Sequence, residues 1–221
     1  MMRKHRDLLR AVLALAIAAL PTTLVAAQTS IDLVYEFDGN APDGTTSYGT
    51  VELAQNGAAV DVTVTTNTVS VGGGDINELY FNLPGDVGPD SLVLSNSGGT
   101  SNRTVGTFDL LGADPSVAGG AGASFDTGVS FGNGAGPPGN GILTTATFTL
   151  STPSGLAVAQ LLSETSAPNN TPPVLFAVHF QNTGIFNATS ETVGGSVVPE
   201  PASVALLGVA AVGLLRRRRC R

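Results

Sequence analysis

The chain has 221 residues and a formal net charge of −7, and that length supports one domain with a sizeable core. The charge is unevenly placed: nine of the ten Lys and Arg lie in the two terminal segments. Between Gln28 and Val198 only Arg103 is basic, against 15 Asp and Glu, a formal −14. A body with no lysine and this acidity excludes a nucleic-acid surface, which needs Lys and Arg against phosphate, and excludes P-loop and Schiff-base chemistry.

Residues 1–27 read as a secretory signal peptide, and therefore as a signal helix that the mature protein lacks. Arg3, Lys4, His5, Arg6 and Arg10 form a basic region, Ala11 to Leu20 an apolar one, and Pro21 breaks the helix. Val25-Ala26-Ala27 fits a small-residue cleavage site, which places the cut between Ala27 and Gln28. Secretion machinery and a signal peptidase are the partners this implies. The plainer alternative is a retained N-terminal anchor.

The body, 28–191, shows period-2 alternation. Ile31, Leu33, Tyr35 and Phe37 fall on one face of a strand, and Val60 to Thr65 alternates Val with Asp or Thr. Further strands are expected at Gly49–Ala54, Glu78–Leu83, Ser91–Leu94, Thr104–Leu111, Ser124–Phe131, Thr147–Leu150, Ala157–Leu162, Val174–Gln181 and Ile185–Thr189. Gly-, Pro- and Asn-rich breaks such as Asp38–Gly44, Pro84–Pro89, Asn133–Gly141 and Pro168–Pro173 separate them. About ten short strands with turn signals between them predict an all-β fold, a single β-sandwich. A jelly roll is the first choice and an immunoglobulin-like sandwich the second. Residues 192–198 read as a spacer.

Candidate chemistry in the body is sparse. His179 is the one histidine outside the signal segment, so zinc motifs built on two histidines are absent, and its apolar neighbours Val174 to Phe180 make it a strand histidine. Cys220 is the one cysteine, so the body holds no internal disulfide and no thiol nucleophile. Gly122-Ala123-Ser124-Phe125-Asp126 departs from a nucleophile elbow by ending in Asp. Paired carboxylates could in principle act on glycosides, but 15 acids locate no pair. Calcium is the more reasonable ligand, since it takes carboxylate and carbonyl oxygens from loops. Asp38, Asn40 and Asp43 lie in one such loop, and Asp75 and Glu78 in a second acidic stretch. The plainer reading of both is a turn, because Asp, Asn and Gly favour turns for backbone reasons. No cofactor is expected otherwise. The sequons at Asn102, Asn169 and Asn187 are attributed to chance in a Ser/Thr/Asn-rich chain.

The last segment, 199–221, is tripartite: Pro199-Glu200-Pro201, an uncharged apolar segment 202–215, and a basic tail 216–221 led by Arg216, Arg217, Arg218 and Arg219. As a helix the apolar segment would be about 21 Å long at ~1.5 Å per residue. A hydrocarbon core is ~30 Å thick, so the segment is short for a permanent span. The arginines suit a stop at the cytoplasmic interface, with Pro199-Glu200-Pro201 outside and held extended by its prolines. This order resembles the PEP-CTERM sorting signal of Gram-negative bacteria. The resemblance implies recognition and cleavage near the triplet by an exosortase, a membrane-embedded, cysteine transpeptidase-like enzyme. It also implies transient residence in the inner membrane and then release or attachment at the cell surface. The family's association with exopolysaccharide suggests a biofilm-matrix role by analogy. An ordinary tail anchor is the plainer alternative. Three functions remain: a non-enzymatic surface or matrix protein, a calcium- or carbohydrate-binding module, and a secreted glycan-active enzyme.

Overall fold

A computed structural model describes residues 28–37, 46–71, 74–101, 106–117, 123–132, 142–163, 165–166, 172–181 and 190–197. The signal segment, the loop 38–45, Arg103, the three sequons, the expected strand at 185–189 and everything after residue 197 lie outside these.

Ten strands form: β1 (Gln28–Glu36), β2 (Gly49–Asn56), β3 (Ala59–Thr66), β4 (Asp75–Phe81), β5 (Val93–Ser101), β6 (Asp109–Leu110), β7 (Thr127–Ser130), β8 (Leu143–Ser151), β9 (Phe176–Gln181) and β10 (Ser190–Val197). The all-β expectation holds. The strands join in one antiparallel sheet, ordered β5-β8-β3-β2-β1-β10-β9-β4-β7-β6 and nearly closed into a barrel. The hydrogen bonding is thus continuous through all ten strands, where a sandwich would have two separate ladders.

The difference comes from one strand. Residues 192–198 read as a spacer, yet 192–197 belong to β10 in the middle of the sheet. β10 pairs with β1 from Ile31↔Val197 to Glu36↔Val193, and with β9 from Ser190↔Gln181 to Gly195↔Phe176. Removing it would leave β5-β8-β3-β2-β1 and β9-β4-β7-β6, two sheets. The glycines are there for space. A Cβ on Gly195 would sit 2.3 Å from the Asp32 carbonyl oxygen, and one on Gly194 would sit 2.8 Å from the Phe37 ring and from Val174.

β2 and β3 make the tightest hairpin. Asn56 pairs with Ala59 around a two-residue loop, where Gly57 takes the positive φ of +60° that such turns need. Val60, Val62 and Val64 point inward while Asp61, Thr63 and Thr65 face out. The expected strand at Ala157–Leu162 is instead one helical turn, α1 (Val158–Leu161). The Gln55 side chain causes this: its oxygen accepts from the Val158 amide at 2.9 Å, and its amide donates to the carbonyls of Gly57, Ala59 and Leu156. The other departures are of extent. Thr104–Leu111 shortens to β6, and Ser91–Leu94 becomes a 3-10 turn at Pro89–Ser91 leading into a longer β5.

Two cores result. The large one fills the barrel, drawing on Ile31, Leu33, Val51, Leu53, Leu79, Phe81, Val178, Phe180 and Val193 among others. Phe108, ahead of β6, lies 4.8 Å from Phe131 and 6.4 Å from Phe148 by ring centroid, both edge-on. These contacts tie the β6–β7 side of the wall to β8 from within. The smaller core lies on the outer face of β4, β9 and β10: Phe37, Tyr80, Phe125, Val174 and Ala177, with Tyr35, Leu111, Val117 and Ala123 against them.

One expectation about β1 is corrected here. Ile31, Leu33, Tyr35 and Phe37 do not share a face. A bulge between Leu33 and Tyr35 inserts one residue against β10, and side chains beyond it change sides. Ile31 and Leu33 stay inside, Tyr35 and Phe37 join the outer cluster, and Glu36 turns inward to accept the Tyr48 hydroxyl.

Candidate functional site

One cluster of titratable groups lies on β4 and β9, beside β10. Glu78 of β4 pairs in register with His179 of β9, which pairs with Thr192 of β10. His179 Nδ1 lies 3.5 Å from Glu78 Oε2 and 3.4 Å from the Asn77 side-chain amide, and the Tyr80 hydroxyl donates to the same Glu78 oxygen. Asn77 reaches the ring because a bulge between Ile76 and Glu78 leaves it opposite no β9 residue. The His179 hydrogen bond holds the Glu78 carboxyl below its ordinary value of 4.5. The Tyr80 hydroxyl and the imidazole charge act the same way, and burial opposes them. His179 is 5% exposed and Tyr80 wholly buried. The group is therefore a satisfied polar ladder with little access for a substrate.

Three further carboxylates are buried in neighbouring registers: Asp75, Glu36 and Glu191, the last paired with Phe180. Asp75 accepts from the Leu143 amide at 2.6 Å, which fastens the start of β8 to the start of β4. Of the calcium candidates in the second acidic stretch, Asp75 and Glu78 are thus each taken up by protein donors. Asp38, Asn40 and Asp43 lie outside the described residues. Among the described residues no group of three or more His, Cys, Asp or Glu has the arrangement to hold a metal ion. Glu36 and Glu191 went unremarked in the sequence. The β1 bulge hides the first, and the glycines of β10 hide the second.

Asn82 and Asp126 fasten the outer layer reciprocally. The Asp126 carboxylate accepts from the Leu83 amide at 2.9 Å, and the Asn82 carbonyl oxygen from the Asp126 amide at 3.1 Å. Asn82 also donates to Ser166 Oγ at 3.0 Å, and Ser166 donates to the Ser124 carbonyl. The departed nucleophile-elbow serine, Ser124, is therefore represented here by its backbone oxygen in a structural tie.

The remaining functional feature begins where β10 ends. The family model described as the PEP-CTERM protein-sorting motif matches residues 197–219. The tail is a PEP-CTERM sorting motif. The match covers Pro199, Glu200, Pro201, the apolar segment and Arg216 to Arg219, and its first residue, Val197, is the last of β10. The motif implies an exosortase as processing partner, export with membrane-associated processing, and a final place outside the cell or on its surface. Among the described residues no helix is long and apolar enough to cross a membrane, and the apolar segment 202–215 lies outside them. No characterised protein and no solved structure matches the chain.

Proposed function

We propose that the chain is a non-enzymatic exported protein, cut near Pro199-Glu200-Pro201 by an exosortase and then carried as an acidic β-barrel domain on the cell surface or in the extracellular matrix. The PEP-CTERM motif directly after β10 carries this reading. The non-enzymatic part rests on the state of the titratable groups. The one histidine of the body is buried against Glu78, and Asp75 is committed to a backbone amide. An exopolysaccharide contact remains an analogy drawn from the motif. Calcium- or carbohydrate-binding and glycan-active readings would have to use the loops rather than these strands.

Mass spectrometry of the mature protein from its native host tests the proposal. A C-terminus near residue 200, or a modification there, is the expected result. An intact Arg221 on the extracted protein would overturn it.

A further inference from the structure

The two edges of the sheet are built differently. β6 is two residues long and begins with Asp109, a short charged edge of the kind that discourages pairing. β5 is nine residues long, exposed through most of its length, and contains no charge and no proline. Its neighbour β8 adds nine more residues without an ionisable side chain. In a body of formal charge −14 this is a neutral strip, and it ends in an open strand edge. Val93, at the start of β5, is 52% exposed, one of two large apolar side chains so exposed among the described residues.

We propose that β5 is a self-association edge: two copies of the chain pair β5 with β5, antiparallel about a two-fold axis, and extend each sheet into the other. A cationic partner would be drawn to the acidic faces. A partner as acidic as this chain can approach closely only where neither surface is charged, and the partner sure to match is a second copy. A two-fold contact uses the same strip on both copies. Ser and Thr side chains, here Ser95, Ser97 and Thr100, form cross-strand hydrogen bonds without needing opposite charges. A bulge between Ser95 and Gly98, with Asn96 at φ 51°, twists the strand there, and a second shift between Thr100 and Ser101 bounds the regular stretch Gly98–Thr100. Because the dispersed acidic faces still repel, association strengthens with salt.

Position-specific disulfide crosslinking of the full chain in detergent micelles tests this, in a Cys220→Ser background. Single variants Ser95→Cys, Ser97→Cys, Gly98→Cys and Thr100→Cys are compared with Val69→Cys, a position 89% exposed beyond the end of β3. One β5 position should crosslink to itself at least about tenfold faster than Val69→Cys, because a disulfide needs Cβ atoms about 4 Å apart. A lysine added to the fastest variant, Ser97→Lys (or Thr100→Lys where residue 97 is the cysteine), should return its rate to the control level. Ser97 and Thr100 are both exposed, so the lysines leave the core intact. Rates at β5 equal to the control would overturn the proposal, as would a fast rate that the added lysine leaves unchanged.

Discussion

The inside of the barrel and the outer face of β4, β9 and β10 solve burial in opposite ways. The interior is held by volume: alternating Val, Leu, Ile and Phe, with Phe108, Phe131 and Phe148 meeting near the seam. The outer face mixes a small aromatic cluster, where Tyr80 stacks on Phe125, with the Glu78–His179 pair and the hydroxyl of the same Tyr80. The difference teaches that the Glu78–His179 pair of the outer face answers to pH, while the phenylalanine cluster of the interior answers to packing.

The sharpest way to break that contrast is Phe148→Ala. It should cost about 3–5 kcal/mol, the usual range for deleting a buried phenyl, with little change between pH 4 and 7 as read by denaturant unfolding. Next is Gly195→Ala, whose methyl has no room beside the Asp32 carbonyl. A cost of about 1–3 kcal/mol in the same assay is expected, the usual range for overpacking.

Glu78→Gln should have a smaller and pH-dependent effect. The folded-state pKa of Glu78 lies below its unfolded value, so the stability it contributes is present above the unfolded value of 4.5 and is lost as pH falls through the folded one. The variant should be weaker than the native chain near neutrality and converge with it in strong acid. Parallel unfolding curves across that range would assign Glu78 no pairing role. The smallest effect is expected from calcium. A ligand that binds only the folded state raises the melting midpoint, and on the reading above millimolar Ca²⁺ leaves it in place. An upward shift would point to the loop candidates Asp38, Asn40 and Asp43.

Strict alternation made β3 legible in the sequence, because Val60, Val62 and Val64 are buried and Asp61, Thr63 and Thr65 face out. The same rule misled at β1, since alternation cannot register an extra residue and the bulge after Leu33 reverses every face beyond it. It failed for β10, where Gly194 and Gly195 are required by the closeness of Phe37, Val174 and Asp32, a tertiary fact that composition reports only as flexibility. Losing that strand also cost the topology, since β10 is the join between the halves. At Ala157–Leu162 a distant side chain, Gln55, decided for helix. The sorting tail was legible outright because a linear order of residue types carries it. The Glu78–His179 pair was not, because its partners lie 101 positions apart and meet only through the β4–β9 register.

β10 also fixes where the molecule can be severed. Its last residue is Val197 and the triplet starts at Pro199, so one residue separates a central strand from the processing motif, a reach of about 7 Å even fully extended. A cut a few residues upstream would pull out the strand that joins the two halves, while a cut at the triplet leaves every β10 pairing intact. On the proposed reading, a cut at the triplet would separate the tail from a fold already complete.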